Sequence, residues 1–139
     1  MKKYLYLVLF TLLLSACGQN PGQQPQSPSG AENTFTAYAG TYSGILPCAS
    51  CEGIDTELTL SPDGTFSLIE FYLSKESDLY LTEGTWKLSD DLTHAVLSPA
   101  DPNESPLNLF YTLKGIDLVK LDIHARPIES SLNYTLRRK

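Results

Sequence analysis

From Gly40 onward, the apolar residues of this 139-residue chain recur mostly at every second position, in short runs interrupted by Gly, Pro, Asp and Asn. Successive side chains of a strand point to opposite faces, so this period belongs to half-buried antiparallel strands. In the clearest case Ile54, Thr56, Leu58 and Leu60 alternate with Asp55, Glu57 and Thr59; Ser61-Pro62-Asp63-Gly64 follows as a turn, and residues 65–73 return. Further strands are expected at 40–45, 79–88, 95–98, 107–114, 118–123 and 132–137, with Gly84 marking a bulge. No stretch of helical period of useful length competes. Seven or eight short strands in sequence form an all-β meander. Such a meander most simply loses its edges by closing into a small antiparallel barrel, although a sandwich with Greek-key links gives much the same pattern.

Upstream, Lys2 and Lys3 precede an apolar run from Tyr4 that closes on Leu14-Ser15-Ala16-Cys17. The run is too short to cross a bilayer as a helix, and a basic start, apolar middle and small-residue cleavage site make an export signal. The order of the last four residues marks residues 1–16 as a lipoprotein signal peptide, cut so that Cys17 becomes the first mature residue and carries acyl chains, palmitate among them. Each buried methylene adds about 0.8 kcal/mol to membrane affinity, so the protein is expected to sit on a membrane without crossing it. Gly18 stands where aspartate would favour inner-membrane retention, which points to the outer membrane, periplasmic side. Residues 17–37 then read as the lipidated cysteine and a flexible linker, since the Gln, Pro, Ser, Gly and Asn from Gly18 to about Thr36 bury too little to offset the entropy of ordering. Residues 38–139 are left as one domain with one modest core.

Loss of the signal leaves eight basic against sixteen acidic side chains, a formal charge of −8, which excludes nucleic acid and anionic lipid as natural partners of this surface. With Cys17 committed to lipid, the other cysteines form Pro47-Cys48-Ala49-Ser50-Cys51. A Cys-x-x-Cys pair serves as a structural disulfide, a redox dithiol, half of a zinc site, or a thiolate pair for a soft metal. Zinc needs four ligands, and the chain otherwise offers only His94 and His124, isolated from each other. Redox centres of the thioredoxin type place a cysteine at a helix start, whereas Glu52-Gly53-Ile54-Asp55 leads into a strand and its acids raise thiol pKa values. Disulfide and soft metal remain. An oxidising periplasm favours the disulfide; the reduced pair suits Cu(I), although Met1, the one methionine, leaves with the signal.

Trp86, Phe66, Phe71, Tyr72, Phe110, Tyr111 and Tyr134 sit within strand patterns and read as core or barrel lining. His94 beside Asp90 and Asp91, and His124 beside Arg126-Pro127, read as solvated turns. No Gly-x-Ser-x-Gly, His-Glu-x-x-His or phosphate-cradling loop occurs, so no catalytic residues are assigned and the protein is expected not to be an enzyme.

The run Tyr42-Ser43-Gly44-Ile45-Leu46-Pro47-Cys48-Ala49-Ser50-Cys51-Glu52-Gly53-Ile54-Asp55 resembles the signature of the N-terminal domain of the NlpE family, outer-membrane lipoproteins named for copper resistance. The likeness continues through Asp63-Gly64-Thr65-Phe66, Gly84-Thr85-Trp86 and Pro127-Ile128-Glu129-Ser130-Ser131-Leu132, covering the folded region from about Tyr38. It implies a lipocalin-like barrel, a place in copper tolerance, and signalling to a Cpx-type envelope-stress sensor kinase. Cys48 and Cys51 match the family's Cys-x-x-Cys, and Cys17 its lipidated cysteine. Longer members add a C-terminal OB-like domain, which is not expected here because the chain stops at Arg137-Arg138-Lys139. The leading expectation is a non-enzymatic outer-membrane lipoprotein with Cys48 and Cys51 as a copper- or redox-sensitive element. The alternative is a lipocalin-like carrier of an apolar ligand, with a structural Cys48–Cys51 disulfide at the barrel rim.

Overall fold

The computed structural model describes residues 30–74, 78–101, 103 and 107–139; the signal peptide and Cys17 lie outside them. One helix precedes eight strands: α1 (Gly30–Tyr38), β1 (Gly40–Leu46), β2 (Ile54–Leu60), β3 (Thr65–Tyr72), β4 (Leu79–Leu88), β5 (Ala95–Pro99), β6 (Leu109–Lys114), β7 (Asp117–Lys120) and β8 (Thr135–Arg138). Each strand pairs antiparallel with the next, and β8 returns to β1 through Tyr42↔Arg138 and Ser43↔Arg137. The sheet therefore closes into the small meander barrel, and the sandwich is excluded.

The β2–β3 hairpin forms in the expected register, with Leu60 opposite Phe66 and Ile54 opposite Tyr72. Its turn follows from local chemistry: Asp63 Oδ1 accepts from Thr65 N at 2.9 Å and from Thr65 Oγ1 at 2.6 Å. Gly64 takes φ +84°, a conformation that residues with a Cβ avoid. Alternation then sends Tyr42, Leu46, Leu58, Leu60, Phe66, Leu68, Trp86, Leu97, Tyr111, Leu118 and Leu136 into one buried cluster. Burying each such side chain contributes about 1.5–3 kcal/mol before chain entropy is set against it.

Several expectations need correction. Gly84 makes no bulge, since it pairs regularly with Phe66 on one side and Pro99 on the other. A Cβ there would lie 2.1 Å from Ser98 O and 2.8 Å from Phe66 Cε1, so glycine is required for close approach of strands. The seventh strand ends at Lys120 because Asp122 Oδ1 accepts from His124 N and Arg126 N, closing a tight turn in which Ala125 takes φ 58°. The sixth and eighth strands start later than expected, at Leu109 and Thr135.

Residues 30–37 are expected as linker, and together with Tyr38 they form the nine-residue helix α1 instead. Nine residues alone are too few for a stable helix in water, so packing must hold it. Phe35, Tyr38 and Ala39 share one face; Phe35 stacks on Trp86 with ring centroids 4.1 Å apart. The Tyr38 hydroxyl donates to Thr93 O at 2.7 Å and accepts from Leu113 N at 3.3 Å. Arg138 Nη1 and Nη2 donate to Ala37 O and Ala39 O, giving the helix end its missing donors. These contacts place α1 at the barrel end formed by the start of β1 and the ends of β4 and β6.

Candidate functional site

At the opposite end β1 finishes and β2 begins, and the loop between them carries Cys48 and Cys51. Their sulfurs are joined in a disulfide, with Cα atoms 5.3 Å apart. Both cysteines are half-buried, whereas Ala49, Ser50 and Glu52 are exposed. Gly53 is buried, and a Cβ on it would sit 2.5 Å from Ile45 Cγ2, so a larger residue there would have to displace that side chain. Two backbone hydrogen bonds tie the loop to the residues after β3: Glu52 N donates to Leu73 O at 3.0 Å, and Leu73 N donates to Gly53 O at 2.9 Å. The pair thus rests on the rim, held to the neighbouring hairpin.

Among the described residues, no group of three or more His, Cys, Asp or Glu is placed to hold a metal. His94 closes the β4–β5 turn, where Thr93 Oγ1 lies 3.0 Å from its Nδ1 and Phe110 meets its ring edge-on. In that turn Asp91 accepts from Ser89 and Thr93, which holds its carboxyl down at about 2. His124 lies in the turn after β7. The two histidines occupy separate turns, as their sequence surroundings implied.

Inside the rim a cavity of about 420 Å³ opens between β2, β3, β4 and β7, lined by Ile54, Glu70, Tyr72, Tyr80, Thr82 and Lys120 among others. The rings of Tyr72 and Tyr80 meet edge-to-face at 5.4 Å. Burial, then the charge of Glu70 and the nearby Tyr80, raise the pKa of Tyr72. Tyr111 is fully buried, and its hydroxyl has no hydrogen-bond partner among the described residues. Burial and then Glu70 push its ionisation well above the usual tyrosine range, so the group is a fixed O–H donor. Of the aromatic residues expected as lining, Trp86, Phe66 and Tyr111 are in the core, Tyr72 is at the mouth, and Phe71 stands on the outer face. Glu70, Tyr80 and Lys120 were not singled out from the sequence. Their signal was polarity at an inward phase: Glu70 continues the series Phe66, Leu68, and Lys120 follows Leu118 two residues on.

An up-and-down barrel with a helix packed at one end and a disulfide loop on the opposite rim defines the class: a small antiparallel β-barrel domain. The family profile described as the NlpE N-terminal domain matches residues 42–131, and the chain belongs to the NlpE family. It is 37% identical to Lipoprotein NlpE of Escherichia coli strain K12 over 130 residues, covering 92% of this chain and 51% of that protein. It is 41% identical to a 17 kDa lipoprotein of Treponema pallidum strain Nichols over 54 residues, 37% of this chain and 35% of that one. The chain thus spans about half the length, or less, of these curated relatives. Among solved structures, a Shewanella oneidensis protein described as a lipoprotein superposes with TM-score 0.67 at 30% identity, covering 81% of this chain and 98% of that one. The Escherichia coli Cpx pathway activator NlpE superposes with TM-score 0.55 at 37% identity, covering 72% of this chain and 50% of that one.

Proposed function

We propose that this chain is a non-catalytic lipoprotein that reports envelope state, anchored through Cys17 at the periplasmic face of the outer membrane and signalling to a Cpx-type sensor kinase. The observation that carries this reading is 37% identity to Lipoprotein NlpE across 92% of the chain, together with the fold shared with the Cpx pathway activator. The Cys48–Cys51 loop is its copper- or redox-sensitive element. A dithiol reductant would open the disulfide to two thiols and be oxidised to its own disulfide. The loop would then lose its internal clamp while keeping the Glu52–Leu73 and Leu73–Gly53 hydrogen bonds that tie it to the residues after β3. A local covalent change of this kind biases a rim that a partner can read.

Copper fits this chain only in the reduced state. Bonded sulfurs offer no thiolate, and the donor set among the described residues stops at Cys48 and Cys51, enough for two-coordinate Cu(I) and for nothing harder. The reading as a carrier of a wholly apolar guest is disfavoured, because Glu70 and Lys120 in the mouth would lose water without gaining partners.

The test is expression in a strain lacking its own NlpE and carrying a transcriptional reporter of the Cpx pathway. Induction by the wild-type chain is expected, as are loss of membrane fractionation in Cys17→Ala and a changed copper response in the Cys48→Ser/Cys51→Ser double variant. A membrane-localised wild-type protein that leaves the reporter silent would overturn the signalling role, and an unchanged copper response in the double variant would remove the cysteines from it.

A further inference from the structure

We propose that the barrel cavity at the pole opposite α1 binds a small zwitterion, with its cationic nitrogen at Glu70 beside the rings of Tyr72 and Tyr80 and its anionic oxygens at Lys120. The closed topology is what sets the two charges apart. Glu70 lies on β3 and Lys120 on β7, four strands away in a ring of eight, so they occupy opposite walls of one lumen. No ion pair within 4.0 Å joins them to each other or to another described residue. Among the described residues neither charge has an ionic partner, and a guest carrying both signs could engage the two together.

The two walls differ in chemistry. On the β3–β4 wall a carboxylate stands beside two tyrosine rings set at 72°, which is an arrangement that attracts a cation through both its charge and its ring faces. On the opposite wall Lys120, on β7, supplies an ammonium among the residues that line the cavity. The cavity, about 420 Å³, is of small-molecule size. An apolar guest would satisfy neither wall and a singly charged guest only one.

Such a zwitterion is supplied either by free amino-acid-like molecules or by a zwitterionic lipid headgroup. The full chain, expressed in cells and purified in non-ionic detergent, is titrated calorimetrically with L-leucine, phosphoethanolamine and dihexanoyl-phosphatidylethanolamine. Ethanolamine and inorganic phosphate serve as half-guests. At least one zwitterion is expected to bind, with the half-guests at least about tenfold weaker. Tighter binding of the lipid than of phosphoethanolamine marks a headgroup source, and the reverse order or a preference for L-leucine marks a free molecule. Glu70→Gln and Lys120→Gln should each weaken the bound probe about tenfold or more. Absence of binding by all three zwitterions at about 10 mM, or binding indifferent to these substitutions, would overturn the proposal. Neither result touches the signalling reading, which is scored by a different assay.

Discussion

Removing one oxygen from either of two buried tyrosines should have opposite effects on stability. The Tyr38 hydroxyl sits 2.7 Å from Thr93 O and 3.3 Å from Leu113 N, in a side chain only 2% exposed. Thr93 O keeps a second donor, Thr112 Oγ1 at 2.8 Å, so the loss in Tyr38→Phe falls mainly on Leu113 N and on the anchoring of α1. That amounts to about 1–2 kcal/mol. For a domain near one hundred residues each kcal/mol moves Tm by about 4–8 °C, so a fall of about 5–15 °C is expected. Tyr111→Phe breaks no hydrogen bond to a described residue and relieves the desolvation of an unpartnered O–H, so a gain of about 1 kcal/mol and a rise of about 5 °C are expected. Trp86 provides the signal for urea unfolding. It is the single tryptophan, 4% exposed, stacked on Phe35 and donating through Nε1 to Ser61 O at 2.9 Å. Provided the slopes with urea agree, the midpoints compare directly. Equal losses in the two variants would refute the reasoning, because they would show that the Tyr111 hydroxyl is as well partnered as that of Tyr38.

Three further outcomes are expected. Arg138→Met should free the carbonyls of Ala37 and Ala39 and the contact over the Tyr42 ring, costing about 1.5–3 kcal/mol and opening residues 30–39 to limited proteolysis while the barrel persists. Opening the Cys48–Cys51 disulfide with reductant should cost about 2 kcal/mol in the chain-entropy account of so short a loop, and far-ultraviolet circular dichroism should still report the barrel. The Asp91 carboxyl, held at about 2 by Ser89 and then Thr93, has a folded pKa below its unfolded one. Its contribution is therefore present above about pH 4 and lost as pH falls through about 2. Carbon-detected NMR titration of Asp91 should place its midpoint near 2, and Ser89→Ala should move that midpoint upward.

The β2–β3 hairpin and the bounds of β4 were legible because both sides of each alternation have ladder partners and the Asp63-Gly64 turn has its own chemistry. The later strands were read too long for the converse reason. Leu107, Ile123 and Leu132 extend the alternation of apolar residues, but they are 55%, 63% and 59% exposed and lie outside the strands. Period counts residues and carries no information about partners. Helix α1 escaped notice because its ordering depends on Trp86 and Arg138, far away in the chain. The cysteine pair was evident, yet its oxidation state was one of several readings until the loop geometry brought the sulfurs together. Glu70 and Lys120 stood at inward positions in plain view, and only closure of the sheet put them across one lumen.

The position of α1 gives the barrel two unlike poles. Twelve residues lie between Cys17 and Gly30, the first residue of α1, and can span at most about 45 Å. With Cys17 as the anchor, the chain enters at the pole stoppered by Phe35 and Tyr38, and Lys139 closes on Thr41 O at that same pole. The opposite pole, with the cysteine loop and the mouth, carries neither end of the domain. With the anchor proposed at Cys17, the disulfide and the cavity lie at the pole farther from the point of attachment.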